Sequence, residues 1–556
     1  MRTFKSLCFL CVLFPAAGFA QSRCSVQPPA PAFSQADTAF AAGDFAGAER
    51  LYLASVSTDA TPAAYLGLVR SQLEQDKLAE ATASASQAGV ALPKSGDALA
   101  LKGDALLRSG QIEPAFAAYT QALTVDPCSA KAHLGVARLD LMVSRGAVAT
   151  HELAVAHALA PSDAEVTAAW VASVDEARRA TALKALVDAK PLLTPGELLG
   201  VKTELAILDQ HKTCTAVPYT KAELQMYPLL IAGTHARSWA LKANIDGADL
   251  PLLEIDTSVS GIVLNPKDAK KAGVHAIGPM PESADAPYTA YADKIRIGGV
   301  EYHDCPVHVV PAKELGNLNS LIGLDFLSDH LIHIDYVTSL VTLTPLPVEP
   351  VEAHRAAGPL KDRYIAADEK SWSPAYKVKG NLLVSTVVNK KGPFLFAIDT
   401  GSWRTIFTNS AGKAVACHHD STLLFQGVSG PVVKVLPMDG AQTDYSNIRN
   451  LSGAQMKLYA PDSVADLRWG GVDYIARVPL CLDISAKSRA TGIELSGLIG
   501  FSDLSPFFID LNYRDGLVHL KFDEMRRYDD RELLHQNDEA DAGGAGGRTD
   551  GVRAGS

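Results

Sequence analysis

The chain changes its hydrophobic rhythm part-way along. From about Phe33 to Cys214, apolar residues, chiefly Ala and Leu, return every three to four positions, the period of helices that bury one face. Within this stretch Asp44-Phe45-Ala46-Gly47-Ala48 recurs as Lys77-Leu78-Ala79-Glu80-Ala81 and again as Gln111-Ile112-Glu113-Pro114-Ala115, a period of about 34 residues, with a fainter copy from Arg145 to Ala149. Gly43, Gln75 and Gly110 supply a small or polar turn between two helices, and Asp126-Pro127 and Pro161-Ser162-Asp163 close units. Past Cys214 aromatic and β-branched residues and Gly rise, and short strand-like runs take over: Tyr227 to Ala232, Ser238 to Ile245 with its Asp246-Gly247 turn, and Leu250 to Ile255. The pattern predicts a multidomain chain, an all-α helical-repeat solenoid over 33–214 and an all-β region running to about Glu524.

The β region repeats itself. Pro251 to Val263 matches Pro393 to Phe407, Ile295-Arg296-Ile297-Gly298-Gly299-Val300-Glu301-Tyr302 matches Leu467-Arg468-Trp469-Gly470-Gly471-Val472-Asp473-Tyr474, and Ser320-Leu321-Ile322-Gly323-Leu324 matches Gly497-Leu498-Ile499-Gly500-Phe501. Three landmarks in the same order define two copies of one domain, lobe 1 at 225–345 and lobe 2 at 371–526, joined by a Pro-rich linker over 346–370. Inside each copy an apolar run drives into an acidic residue: Phe394-Leu395-Phe396-Ala397-Ile398-Asp399-Thr400-Gly401-Ser402, and Leu252-Leu253-Glu254-Ile255-Asp256-Thr257-Ser258. A buried strand ends in a carboxylate only where that group has a partner or a task. The tail over 529–556, with few apolar residues and Gly543-Gly544-Ala545-Gly546-Gly547, reads as disordered.

Composition narrows the function. A net charge of -11 over 556 residues argues against nucleic-acid binding. Arg2 and Lys5, the apolar Leu7 to Pro15 and the small residues Ala17-Gly18-Phe19-Ala20 read as a signal peptide over 1–20, so the mature protein is expected in the periplasm or outside the cell, with membrane attachment only through an uncleaved signal. Export leaves Cys24, Cys128, Cys214, Cys305, Cys417 and Cys481, an even set that permits disulfides in an oxidising compartment without selecting a pairing. Cys417-His418-His419 is a surface or structural run rather than a metal site, because neighbours on a strand point to opposite faces. No metal or other cofactor is expected. No His-Glu-x-x-His helix and no Gly-x-Ser-x-Gly elbow points to a metallo- or serine hydrolase.

The helical third resembles tetratricopeptide repeats in its period, in the small residues where helices pair and in the closing Pro. Stacked helix pairs leave a concave groove, so that resemblance implies a peptide- or protein-binding role, with a helical spacer as the plain alternative. Each half of the β region resembles a retroviral-type aspartic peptidase domain, an apolar strand into Asp-Thr-Gly followed later by Leu-Ile-Gly. Viral enzymes of this kind pair two chains and pepsins carry two lobes in one, so this chain looks like the second arrangement built from the first type of unit.

The resemblance implies roles residue by residue. Asp256 and Asp399 would form a catalytic dyad sharing one proton: the ionised member activates water and the protonated one polarises the scissile carbonyl. Thr257 and Thr400 would lock the two loops together by reciprocal hydrogen bonds. Gly401 would let backbone approach substrate, and Ser402 would hydrogen-bond the outer oxygen of Asp399. Gly427, Val428, Ser429 and Gly430 would form a substrate-covering flap, with Ala276-Ile277-Gly278-Pro279 as its counterpart in lobe 1. Gly323 and Gly500 would be structural turns. Three positions depart from the pattern: Ser258 stands in place of Gly, Val259 stands where lobe 2 has Ser402, so that Asp256 is expected to lose that hydrogen bond, and Trp403 replaces a small polar residue. The expected function is an exported aspartic endopeptidase whose repeats recruit substrate or a protein partner. The alternatives are a homodimer pairing Asp399 with its own copy, and a non-catalytic peptide-binding scaffold.

Overall fold

The computed structural model describes residues 24–27, 34–188, 192–210, 212–231, 235–277, 287–311, 319–348, 365–402, 404–414, 417–425, 456–461, 465–469, 472–476, 480–481 and 483–522. The expected signal peptide, the expected lobe 2 flap, most of the expected linker and the expected tail lie outside these residues. Among the described residues no helix is long and apolar enough to cross a membrane.

Helices fill the first third: α1 (Gln35–Ala41), α2 (Phe45–Thr58), α3 (Pro62–Glu74), α4 (Leu78–Ala91), α5 (Gly96–Arg108), α6 (Ile112–Val125), α7 (Ala130–Met142), α8 (Gly146–Leu159), α9 (Ala164–Val171), α10 (Glu176–Asp188) and α11 (Pro195–Leu208). The first helix of each pair starts where a side chain can take an orphan backbone N–H. Ser34, Thr61, Ser95, Ser129 and Asp163 accept from Asp37, Ala64, Ala98, Ala132 and Val166 in turn. The second helix starts one residue into each copy of the repeated motif. The residue two before it turns left-handed at Gly43 (φ 81°), Asp76 (φ 57°), Gly110 (φ 73°) and Ser144 (φ 61°). The turn expected at Gln75 spans Gln75 and Asp76, and its left-handed position falls to Asp76, a short polar residue that tolerates this conformation. Gln75 also closes α3, and its amide donates to Phe45 O at 3.2 Å and to Glu49 at 2.9 Å. Charged side chains tie α7 to the start of α9, the first helices of successive pairs: the Lys131 ammonium donates to Asp163 at 3.0 Å and to Glu165 at 2.8 Å, and Arg138 donates to Glu165 at 2.7 Å. Burial alone would raise the Glu165 carboxyl, but Lys131, Arg138 and Arg70 hold it well below the usual range. From α11, Glu197 reaches back to Arg70 on α3 at 3.3 Å.

Two disulfides bracket the helical domain. Cys24–Cys128 ties the segment before the repeats to the α6–α7 turn, and Cys214–Cys305 ties the segment after α11 to lobe 1. Cys481 is disulfide-bonded as well.

The two β lobes share one crossing. In lobe 1 the strand Ala248–Ile255 runs parallel to Ser320–Ile322, which pairs antiparallel on its other side with Ile262–Leu264. In lobe 2, Lys391–Asp399 runs parallel to Gly497–Gly500, which pairs antiparallel with Ile406–Phe407. A short helix follows each time, Pro266–Ala272 and Asn409–Ala414. The lobes are joined edge to edge: His330–Asp335 of lobe 1 pairs with Phe507–Asn512 of lobe 2, Ile334 opposite Ile509 and Ile332 opposite Leu511. Outward from that seam, Leu340–Pro345 and Ala222–Ile231 continue the sheet on one side and Leu517–Phe522 and Ser373–Pro374 on the other. One continuous apolar core runs through both lobes. Asp510 accepts from His333 across the seam at 2.5 Å and from His519 of its own lobe at 2.9 Å. Burial pushes the Asp510 carboxyl upward, but the two histidines more than offset it and hold it below its ordinary value.

The repeats rest on lobe 2 by their inter-helix turns. Ile112, Ala115, Tyr119 and Met142 share an apolar cluster with Leu395, Ile484, Ile493, Leu495 and Leu498 of lobe 2. The Glu494 amide donates to Arg108 O at 2.8 Å. A Cβ at Gly110, already left-handed, would fall 2.6 Å from Glu494 O. Asp76 takes both Arg108 from the repeats and Arg489 from lobe 2.

Two outcomes follow from this packing. Gly110→Val should lower stability to denaturant by about 2–3 kcal/mol through strain and overlap, whereas Gly146→Ala, with nothing within 4 Å of its added Cβ, should stay within about 0.5 kcal/mol. Because the folded Asp510 is depressed, its contribution is present above the unfolded value near pH 4 and is lost as pH falls through the folded value. Acid unfolding profiles of Asp510→Asn should therefore lose part of the wild-type decline below about pH 4.

Candidate active site

Both candidate aspartates leave the sheet at the same place in the crossing. The Asp256 amide donates to Ile322 O at 2.9 Å, and Asp399 stands opposite Gly500 in the parallel pair. The loop after each aspartate folds back over the Leu-Ile-Gly strand, which explains the two glycines. A Cβ at Gly323 would lie 2.3 Å from Val259 O, and one at Gly500 would lie 2.3 Å from Arg404 O. A side chain at either place would push the aspartate loop away.

The loops then grip one another across the lobes. The Thr257 amide donates to Thr400 Oγ1 at 3.1 Å, and the Thr400 amide to Thr257 Oγ1 at 3.1 Å. Each hydroxyl passes its own proton on to the opposite strand, Thr257 to Ile398 O at 2.7 Å and Thr400 to Ile255 O at 3.1 Å. Both threonines are buried. A hydroxyl can donate once while it accepts, so each threonine satisfies an amide and a carbonyl of the other lobe at the same time.

This grip brings the carboxylates to the lobe interface, both buried. Gly401 lies directly against the other lobe's acid: a Cβ there would be 2.6 Å from Asp256 Cγ. The related position in lobe 1, Ser258, carries a side chain and accommodates it by turning back. Its amide and hydroxyl donate to Asp256 Oδ1 at 2.9 and 2.6 Å. Asp256 thus keeps a hydroxyl donor, correcting the expectation that Val259 would cost it one. In lobe 2 the Ser402 amide donates to Asp399 Oδ1 at 3.0 Å, while its hydroxyl donates to Arg404 O at 2.9 Å. Ser402 therefore serves Asp399 through its backbone, because Arg404 O takes the hydroxyl proton.

Two residues of the site were not singled out from the sequence. Lys487, on the helix Ser485–Thr491, places its ammonium 2.6 Å from Asp399 Oδ2, with both side chains largely buried. It lies far along the chain in a stretch with no motif, between Asp483 and Arg489, so no signal in the sequence flags it. Asp325, two residues past Gly323, accepts from the Ser260 hydroxyl at 2.5 Å and the Gly261 amide at 2.9 Å and so pins the Asp256 loop. Burial raises its carboxyl despite those bonds. Of the flap residues, Gly427, Val428, Ser429 and Gly430 lie outside the described residues. In lobe 1, Ala276 and Ile277 form part of the strand His275–Ile277, paired to Ala290 and Thr289, whereas Gly278 and Pro279 lie outside. Trp403 is also outside. Cys417, His418 and His419 sit on the strand Cys417–Phe425 opposite Pro461, Ala460 and Tyr459.

Residues 241–326, most of lobe 1, match the aspartyl protease family. The match falls on the lobe whose motif departs more from Asp-Thr-Gly. Among curated proteins none matches the chain. Several solved structures are similar in fold to parts of it. A retropepsin-like aspartic protease from Rickettsia conorii is 20% identical and covers 24% of this chain and 93% of its own, with a TM-score of 0.17. An aspartic proteinase from Irpex lacteus is 10% identical and covers 55% of this chain and 98% of its own, with a TM-score of 0.30. A thermophilic TPR protein of Thermus thermophilus is 17% identical and covers 32% of this chain and 95% of its own, with a TM-score of 0.25. The chain combines an array of repeating helices with a β region in which residues 241–326 match the aspartyl protease family.

Replacing either grip threonine by valine keeps shape and removes a hydroxyl, leaving a buried amide and carbonyl unpaired at about 1–3 kcal/mol. Thr257→Val and Thr400→Val should each destabilise by that amount. The double variant should cost well under the sum, because one exchange holds both. Denaturant unfolding of the four proteins measures the coupling.

Proposed function

We propose that this chain is an aspartic endopeptidase in which Asp256 and Asp399 form a single intrachain dyad. The observation that carries the reading is the reciprocal Thr257–Thr400 exchange. It holds two buried carboxylates from two lobes of one chain at a common seam, with Gly401 packed against Asp256. Two carboxylates held together cannot both ionise freely, so one proton is shared. The ionised member takes a proton from a water between them as that water attacks the scissile carbonyl, and the protonated member donates to the carbonyl oxygen. Collapse of the tetrahedral species returns a proton to the leaving amine, so no covalent intermediate forms. Ser258 and the Ser402 amide orient the two carboxylates.

Export from the cytoplasm belongs to the same proposal. The signal-like N-terminus is one support, and the Cys24–Cys128 and Cys214–Cys305 bridges, of a kind that persists in oxidising compartments, are another. The repeats, docked on lobe 2, would recruit a protein substrate or partner to the cleft.

The test is cleavage of a mixed peptide library by the mature protein from acid to neutral pH, with a pepstatin-type inhibitor as control. Asp399→Asn and Asp256→Asn should each reduce turnover by at least about a thousandfold, as loss of an essential acid or base requires. Activity surviving in Asp256→Asn would transfer the reading to a dyad built from two copies of Asp399. Absence of cleavage and of inhibitor binding by folded protein would leave a peptide-binding module.

A further inference from the structure

The contact between Lys487 and Asp399 sets this site apart from a bare pair of acids. We infer that Lys487 is a positioning residue that keeps Asp399 as the ionised member of the dyad, and that the repeat domain holds it there. The inference rests on the peptidase reading above and adds an assignment of roles to it: Asp399 the base, Asp256 the bearer of the shared proton.

The geometry is specific. The ammonium lies 2.6 Å from Asp399 Oδ2, while Oδ1 of the same carboxylate accepts the Ser402 amide at 3.0 Å. Asp399 thus accepts a charged donor on one oxygen and a backbone donor on the other. On Asp256 the amide and hydroxyl of Ser258 both donate to Oδ1, and both are neutral. A cation beside one acid of a pair favours the ionised form of that acid and leaves the shared proton on the other.

Lys487 is long and would ordinarily escape to water. Here its helix is fixed on several sides. Ser488 Oγ accepts the Leu495 amide at 3.0 Å, and the Lys379 ammonium donates to Ala490 O at 3.0 Å. Arg489, two residues on, pairs with Asp76 in the turn between α3 and α4, which also takes Arg108 from α5. Arg108 O accepts the Glu494 amide at 2.8 Å, and Ile484, Ile493 and Leu495 pack against Ile112 and Tyr119 of α6. The helix that delivers the ammonium is therefore clamped by the repeats.

The charged groups around this contact come from several elements. Asp256 faces Asp399 across the grip. Asp483, Arg489 and Glu494 belong to the helix segment itself, with Asp483 accepting the Ser485 amide at 2.8 Å. Lys379 comes from the turn before the strand Asn381–Val388, Asp76 and Arg108 from the repeats, and Arg404 and Asp503 from the two segments flanking Asp399. Arg489 is matched by Asp76, whereas Lys487 spends its charge directly on the dyad.

A fixed cation beside Asp399 lets that carboxylate ionise at lower pH, so the singly protonated, active dyad reaches into a more acidic window. Removing the charge should raise the lower limit of that window by about one to three pH units, the range over which a neighbouring cation shifts a carboxylate. The experiment measures pepstatin-type inhibitor binding and peptide cleavage by the full mature chain from about pH 2 to about pH 8 for wild type, Lys487→Met and Lys487→Arg, with circular dichroism to confirm folding. The expected result is an alkaline shift of the lower limb in Lys487→Met and a wild-type profile in Lys487→Arg. Asp76→Ala, which loosens the clamp from outside the site, should shift the limb the same way by a smaller amount. A limb that stays put in a folded Lys487→Met would overturn the inference and leave the peptidase reading intact. If Lys487→Met fails to fold, Asp76→Ala decides, and an unmoved limb there overturns the clamp. Neither binding nor cleavage in any of the proteins would overturn the peptidase reading, and the assignment of Lys487 with it.

Discussion

Everything at the seam of this molecule depends on two threonine hydroxyls that each accept an amide from the opposite loop and donate to the opposite strand. Buried polar groups must find partners or cost stability, and here the partners come from across the lobes. The grip therefore ties together the two loops that carry the carboxylates, and it does so with neutral groups. The sheet joining His330–Asp335 to Phe507–Asn512 and the common apolar core hold the lobes so that the grip can close.

The site is symmetric in topology and asymmetric in chemistry. Both acids follow a strand parallel to Leu-Ile-Gly, and both loops fold over a glycine that has no room for a Cβ. Around that shared frame the lobes diverge. Lobe 1 gives its acid a serine that doubles back and a half-buried Asp325 that pins the loop. Lobe 2 gives its acid a backbone amide and a lysine delivered from a helix that the repeats clamp. Duplicated units that keep the crossing and change the donors can divide the labour of acid and base between otherwise equivalent carboxylates.

How much of this could be read from the chain depends on how local each feature is. The repeats were legible because a helix pair writes its caps and turns into a fixed period, and the second helices start where the repeated motif does. The turn at Gln75 was legible as well, but not that Asp76 takes its left-handed position, because both are polar and only the backbone distinguishes them. The two aspartate strands were legible because an apolar run ending in a carboxylate is unusual. The fate of Ser258 was not, since a rotamer that turns a hydroxyl back onto its own aspartate leaves no trace in spacing. Lys487 and the His333–Asp510 contact were invisible for a different reason: each joins residues far apart in sequence through tertiary packing alone. The disulfide pairing was equally closed to spacing and became visible only when the chain's path carried Cys24 to Cys128 and Cys214 to Cys305.

The central claim is that one chain holds one complete dyad. The most direct measurement is calorimetric titration of the mature protein with a pepstatin-type inhibitor at acidic pH, reading stoichiometry alongside affinity. The account predicts one inhibitor per chain, with binding weakened strongly in both Asp256→Asn and Asp399→Asn. One inhibitor per two chains, or undiminished binding in Asp256→Asn, would contradict it.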